Sequence, residues 1–504
     1  MKDHQPNSIL GLNSGKSLAK NTAWNLVGQG IPIIAAVFSI PLLIRGLGID
    51  RFGVLTLAWM VIGYFSLFDF GIGRALTKVL AVNISGNKTD KNPAIVWTAL
   101  LLMLLLGMIG TVVVSLLSPW LVTVVFKIPD ALQYEMVNTF YLLALSIPIV
   151  ISTAALRGVL EAYQRFDLAN IIRTPLGLFM FIGPLLILPL TNNMIWIVAV
   201  LVAGRVFAWF FHLLFCIRVV EGLKAGMAVE FELLKQLLHF GSWMSISNLV
   251  GPLMVYLDRF LIGAFVSLAA VVYYTTPQEV VTKVLIIPSA LTGVLFPAFA
   301  SAFVQNKERT KIIFQSGTSY IFIALFPLIL VIVTFAPEGL TAWLGSDFSH
   351  ESSIALRCLA VGIFFNGIAQ VPFALLQAAG RPDITAKIHV AELPFYIVTL
   401  YFLLSIFGIN GAAVAWLLRA ALDAAALFLT VNYLSLPQER FLLRLLLCVI
   451  GALLTFFLGW LMVGVFMKVA FVICTMMVFS VISWFYLLNE AEKYFLRKLV
   501  KISI

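Results

Sequence analysis

The sequence predicts an all-α, polytopic membrane protein with about 14 transmembrane helices, built as two six-helix lobes in parallel repeat plus two C-terminal helices. Three observations carry this prediction. Of the 504 residues, 62% are hydrophobic and 11% charged, where an average soluble protein carries about 25% charged residues. The apolar residues fall in blocks of about the 20 residues that a hydrocarbon crossing needs. Short words also recur along the chain at a nearly constant offset.

Taken in order, the blocks place spans near 21–44, 53–80, 93–118, 137–160, 170–190, 194–217, 240–264, 270–298, 312–336, 354–379, 386–407, 410–434, 442–464 and 468–488. The expected organisation is a cytoplasmic N-terminal tail over 1–20, an N-terminal lobe over 21–218, a cytoplasmic linker over 219–239, a C-terminal lobe over 240–434, a helix pair over 435–490 and a cytoplasmic tail over 491–504. The first 20 residues have no apolar core of the kind a cleaved signal peptide needs. Short loops are expected outside, the longest over 118–136 and 337–353.

The basic residues orient this topology. With the N-terminus and every second gap assigned to the cytoplasm, that side collects 24 Lys and Arg and the other side collects 5, namely Arg45, Arg51, Lys127, Arg357 and Lys468. Cytoplasmic loops are the ones enriched in Lys and Arg, and one miscounted span would scramble the alternation. The net charge of +10 thus reads as orientation signals rather than a nucleic-acid surface. Four cysteines, Cys216, Cys358, Cys448 and Cys474, sit in apolar segments without CxxC spacing. They read as small buried hydrophobes, with no metal or disulfide framework.

The repeat is seen in paired words. Asn25-Leu26-Val27-Gly28 recurs as Asn248-Leu249-Val250-Gly251, and each is closely followed by proline, Pro32 and Pro252. Leu160-Glu161-Ala162-Tyr163-Gln164-Arg165-Phe166-Asp167 is matched by Leu376-Gln377-Ala378-Ala379-Gly380-Arg381-Pro382-Asp383 at an offset of 216. Arg205 and Arg419 are 214 apart. Six helices per repeat is an even number, so both copies share one orientation, an arrangement found in transporters.

A charge in the bilayer centre costs at least about 2.5–3.5 kcal/mol and needs a partner or water. The seventh and eighth spans turn near Ser267, which puts Asp258 and Arg259 at the depth of Gln278 and Glu279. Glu279 and Lys283 are spaced for pairing on one helix face, as are Arg419 and Asp423. Arg205 has no opposite charge in its span. Asp69, Arg74 and Lys78 descend the second span. Either these groups neutralise one another and fix packing, or they line a wet cavity for a charged substrate or coupling ion. As a set, Asp69, Arg74, Lys78, Arg205, Asp258, Arg259, Glu279, Lys283, Arg419 and Asp423 are the candidate substrate and ion pathway. His212 and His389 read as neutral packing residues, and Glu392 as a possible proton site. A cavity with unpaired cations suits an anionic headgroup, which Arg and Lys meet by charge-assisted hydrogen bonds. An enzyme is not expected: there is no large aqueous domain, no DxD pair and no GxxxxGK[ST] loop. No cofactor is implied.

The stretch Pro41-Leu42-Leu43-Ile44-Arg45-Gly46-Leu47-Gly48-Ile49-Asp50-Arg51-Phe52-Gly53, with Phe68-Asp69-Phe70-Gly71-Ile72-Gly73, Lys78 and Tyr256-Leu257-Asp258-Arg259-Phe260-Leu261-Ile262-Gly263, resembles bacterial polysaccharide transporters. These belong to the multidrug/oligosaccharidyl-lipid/polysaccharide flippase superfamily. The resemblance implies a bacterial inner-membrane flippase that moves undecaprenyl-pyrophosphate-linked oligosaccharide units, such as those of O-antigen or exopolysaccharide, by alternating access. It also implies proton or sodium coupling and a polysaccharide polymerase and chain-length machinery as partners. Asp69, Lys78, Asp258 and Arg259 fall on its motif positions. A lipid II flippase or a multidrug exporter of the same superfamily is the alternative, and a membrane glycan polymerase or ligase a more distant one.

Overall fold

A computed structural model describes residues 34–65, 72–86, 89–126, 128–224, 256–434 and 438–487, together with Pro32, Met254 and Lys493. Apart from those three residues, both tails, most of the 219–239 linker and the first halves of the first and seventh spans lie outside the described residues. In chain order the helices are α1 (Ile34–Leu47), α2 (Ile49–Phe65), α3 (Ile72–Ser85), α4 (Asn92–Trp120), α5 (Asp130–Ala162), α6 (Phe166–Ile187), α7 (Met194–Val219), α8 (256–265), α9 (Leu268–Val281), α10 (Ile286–Gln305), α11 (Lys307–Leu344), α12 (Ser346–Ala378), α13 (Pro382–Leu434), α14 (Glu439–Leu461) and α15 (Val465–Ile482). Ten of the described helices are long and apolar enough to cross a membrane. Helices α14 and α15 expose Leu446, Leu454, Phe457, Phe466, Met477 and Val481, a surface that only hydrocarbon covers at no cost.

The helix order follows the fourteen predicted segments. Helices α2 and α3 together make the second. A 3-10 turn at Thr282–Leu285 joins α9 to α10 within the eighth. Helix α13, at 53 residues, holds two, since a straight helix of that length would run about 80 Å, against about 30 Å of hydrocarbon. It breaks at Gly408, where φ 57° and ψ −138° suit only glycine. Gly411 completes the bend, because a Cβ there would sit 1.9 Å from the Leu403 carbonyl oxygen.

Two expectations need correction. The supposed outer loop at 337–353 is helical except at Gly345 (φ 98°), because α11 and α12 run beyond the hydrocarbon. Within 118–136, Leu121–Val125 forms a π turn that extends α4. The cysteines also divide: Cys216 and Cys358 are buried, Cys448 is half-buried and Cys474 is exposed. On a lipid-facing helix a small apolar residue need not be inside the protein.

The chain divides into two compact units, Met1–Tyr256 and Leu257–Ile504. In the first, α3, α4, α5 and α7 share a core that includes Leu76, Val96, Ile151, Leu156 and Cys216. Small residues allow close backbone approach, as is usual where lipid supplies no hydrophobic drive between helices. A Cβ on Gly107 would lie 2.4 Å from the Pro148 Cα, and Thr111 donates to the Ala144 carbonyl at 2.8 Å. Glu135 of α5 accepts from Arg51 of α2 at 3.1 Å and from the Met194 amide at 2.7 Å, where the N-terminus of α7 favours an anion.

In the second unit, rings of α11, α12, α14 and α15 interlock. Phe326 stacks on Phe479 at 4.1 Å between centroids, and Phe456 meets both Phe326 and Phe364 at 5.4 Å. This aromatic cluster docks the C-terminal pair onto the unit. Buried Lys468 donates to Glu338 at 2.7 and 3.0 Å. Buried Arg357 donates to the Val333 carbonyl at 3.0 Å and lies over the Trp460 ring, which satisfies the one charge that interrupts the tenth span.

The paired eight-residue words form the same turn once in each unit. Arg165 grips Asp167 through Nε and Nη2 at 3.0 and 2.9 Å, and Arg381 grips Asp383 at 3.1 and 3.2 Å. The amides of Tyr163, Gln164 and Arg165 donate to the carbonyls of Val159, Glu161 and Leu160, and those of Ala379, Gly380 and Arg381 to Leu375, Gln377 and Leu376. Each Arg hydrogen bond holds its Asp carboxyl below the usual range. That contribution to stability is present above the ordinary carboxylate pKa and is lost as pH falls through the lowered one. The turns differ at the left-handed position, Gln164 (φ 57°) in one and Gly380 (φ 75°) in the other. Gln164→Gly is therefore expected to raise stability, and Gly380→Gln to lower it, each by about 1 kcal/mol. Thermal melts of the purified variants check this, and shifts in the same direction would contradict it.

Candidate functional site

The second unit buries a polar relay inside its helices. Helix α8 ends at Phe265 and α9 begins at Leu268, with Ser267 as N-cap accepting from the Ala270 amide at 3.0 Å. This tight hairpin sets residues equidistant from Ser267 side by side. Tyr274 donates to Asp258 Oδ2 at 2.6 Å, and Gln278 Nε2 lies 3.4 Å from the same oxygen. Asp258 Oδ1 takes the Arg259 amide at 2.7 Å. The Arg259 side chain donates through Nε to Gln278 at 3.0 Å and through Nη2 to Glu279 at 2.9 Å. Glu279 Oε2 then faces Lys283 at 3.7 Å. Asp258 is fully buried, Arg259 is 6% exposed and Gln278 2%, while the Glu279 and Lys283 side chains are 36% and 45% exposed. The relay thus runs from a dry interior to an accessible end, with its inner hydrogen bonds made by charged groups of the stronger kind.

A second cluster lies on the two arms of α13. Contacts between residues 389 and 423, and between 396 and 419, show the arms folded back on each other at Gly408. Arg419 stands over the rings of Tyr396 and Trp416, 5.6 Å from each centroid. His389 Nε2 is 3.6 Å from Asp423 Oδ1, and Glu392 neighbours both Asp423 and Arg419. Fully buried Tyr396 is an electrostatic neighbour of Asp258 and Tyr274, so the two clusters are continuous.

In the first unit, Arg205 of α7 reaches the Met180 sulfur at 3.7 Å, and its buried Nε has no hydrogen-bond partner. No carboxylate lies within 4 Å of it among the described residues. Beside its neighbour Gly204, α6 and α7 form an open apolar groove of about 450 Å³, lined by Ile171, Pro175, Leu176, Phe179, Gly204 and Phe207 among others.

The structure therefore joins Asp258, Arg259, Glu279 and Lys283, leaves Arg205 without a carboxylate within 4 Å among the described residues, and changes the pairing expected at α13. Arg419 and Asp423 do not pair, because two aromatic faces hold the guanidinium while His389 and Glu392 face the carboxylate. His389 consequently faces a charge instead of merely packing, whereas His212 is buried against the Ala208 carbonyl at 2.7 Å. Asp69 lies outside the described residues, as do the side chains of Arg74 and Lys78 on α3. Sequence reasoning missed Tyr274 and Tyr396, which sit in apolar runs and resemble core. The mirror about Ser267 that matched Gln278 to Asp258 also covers Tyr274. Among the described residues no cluster of His, Cys, Asp and Glu is placed to hold a metal ion.

Residues 18–303 match the family described as "Polysaccharide biosynthesis protein". The chain is 31% identical over 416 residues to the "Putative O-antigen transporter" of Shigella flexneri, covering 82% of this chain and 97% of that protein. Its fold is similar to that of a solved structure described as "Lipid II flippase MurJ, inward closed conformation", with a TM-score of 0.71 at 12% identity over 91% of this chain and 98% of that one. It is also similar to a "multidrug resistance MATE family transporter of the MOP superfamily" in an inward-facing conformation, with a TM-score of 0.67 at 16% identity over 80% and 96% of the two chains.

Proposed function

Because the chain belongs to the polysaccharide biosynthesis protein family, we propose that it is a flippase for lipid-linked oligosaccharides, moving undecaprenyl-pyrophosphate-linked repeat units across a bacterial inner membrane for cell-surface polysaccharide. It is read as a transporter working by alternating access, not as an enzyme. The 24-to-5 distribution of basic residues supports cytoplasmic termini. The observation that carries the reading is Arg205, a cation within a membrane helix that no described carboxylate neutralises.

A membrane arginine persists where it has work for its charge, and a pyrophosphate is the partner its planar fork suits. The open apolar groove on the same helix suits the lipid end of such a ligand. The Arg259–Glu279–Lys283 chain of the second unit, open at its Lys283 end, is assigned to the substrate and ion pathway by its charge, and Asp69, Arg74 and Lys78 by position. Proton or sodium exchange is the proposed energy source, and polymerase and chain-length proteins are the proposed partners.

Purified protein in vesicles is expected to transfer a labelled polyprenyl-pyrophosphate glycan from one leaflet to the other. Absence of transfer under proton, sodium and zero gradients would refute transport. Transfer of lipid II in preference to the oligosaccharide, or resistance of expressing cells to cationic drugs, would move the chain to another branch of the superfamily.

A further inference from the structure

Among the described residues, buried side-chain atoms without a hydrogen-bond partner gather on α13. Both carboxylate oxygens of Glu392, Tyr396 Oη, Arg419 Nε and Asp423 Oδ1 are all in this condition. Native proteins leave few such atoms, and a concentration of them marks a place where something further binds. Tyr396 is 0% exposed, Arg419 6% and Asp423 6%, so bulk water does not satisfy them.

The Glu392 and Asp423 carboxyls lie within hydrogen-bonding reach of each other, and Arg419 attracts Glu392. The other groups facing them are His389, 3.6 Å from Asp423, and Tyr396, which neighbours Asp258 and Tyr274. From α12 the facing group is the Phe373 ring, stacked on His389 at 6.1 Å.

Ionised carboxylates only accept hydrogen bonds. Side by side, with His389 Nε2 no closer than 3.6 Å to Asp423 Oδ1, they repel each other, and Oδ1 and both Glu392 oxygens stay unsatisfied. One proton removes both faults. It turns one carboxyl into a donor to the other and leaves a single negative charge opposite Arg419. The cluster is then neutral, the state that low-dielectric surroundings favour. A metal ion would do the same, but these side chains are not grouped to hold one.

We infer that Glu392 and Asp423 form a carboxyl–carboxylate pair that binds one exchangeable proton, with Arg419 as its counter-ion. The link to transport rests on the flippase reading: binding and release of this proton on α13 is the step through which a proton gradient acts on glycan transfer.

Infrared spectroscopy of the full-length protein in lipid tests the pair directly. At neutral pH the wild type is expected to show a protonated-carboxyl C=O band that shifts in D2O. Glu392→Gln and Asp423→Asn should each remove it. A wild-type spectrum without the band, or a band that survives both substitutions, overturns the pair. If either variant fails to fold, the other variant and the D2O shift of the wild type still decide.

Vesicle transfer separates this inference from the flippase reading. Glu392→Gln is expected to lose at least tenfold of the acceleration that a proton gradient gives. A band without any transfer keeps the pair and refutes the flippase. Transfer without the band does the reverse.

Discussion

Arg259→Ala is expected to destabilise the second unit by about 1–3 kcal/mol, the cost of leaving the buried Gln278 acceptor without its donor. The geometry explains the size. The Arg259 side chain makes two of the inner hydrogen bonds, to Gln278 at 3.0 Å and to Glu279 at 2.9 Å. Without it, an amide 2% exposed loses its donor and Glu279 is left with Lys283 at 3.7 Å, while Asp258 keeps Tyr274, Gln278 and a backbone amide. Arg259→Lys should recover part of the loss, since an ammonium supplies charge but not the planar fork. A double change of Arg259 and Glu279 to apolar residues should cost less than Arg259→Ala alone. Equilibrium unfolding in detergent measures all three. If Arg259→Ala unfolds with the wild type, the relay is not a stabilising network.

Arg205→Ala is expected to do the opposite: to leave the melting temperature unchanged or slightly raised, and to reduce polysaccharide export at least tenfold. Its polar contact among the described residues is a thioether sulfur at 3.7 Å, so little is lost from the folded state. A tenfold loss corresponds to about 1.4 kcal/mol, modest for a charge-assisted contact to phosphate. Arg205→Lys should export at an intermediate rate. Unchanged export in Arg205→Ala, with equal amounts of protein in the membrane, would remove Arg205 from the pathway.

Much of this was legible before any coordinates. Hydropathy marks a crossing because lipid imposes length and apolarity on every helix, and the charge mirror about Ser267 follows from hairpin geometry alone. The Leu160–Asp167 and Leu376–Asp383 words, legible as a repeat, form a turn that recurs down to its hydrogen bonds. What stayed hidden depends on partners distant in sequence. The spacing of Arg419 and Asp423 promises a pair, but rings at 396 and 416 and a histidine at 389 compete for the two groups. Glu135 tying α2 to α7, and Lys468 reaching Glu338 across 130 residues, leave no periodic trace. Helical ends that run past the bilayer, as at 337–353, also have no hydropathy signal.

The placement of the four thiols has a practical consequence. Cys216 and Cys358 are sealed inside, Cys448 is half-buried within the apolar α14, and Cys474 is exposed where α15 meets hydrocarbon. A water-borne maleimide needs a thiolate in contact with water, so the native chain offers such a reagent little to attach to. New cysteines placed one at a time in the tails and turns would then report which side of the membrane each one faces, against a nearly silent background and without first stripping the protein of its own sulfur.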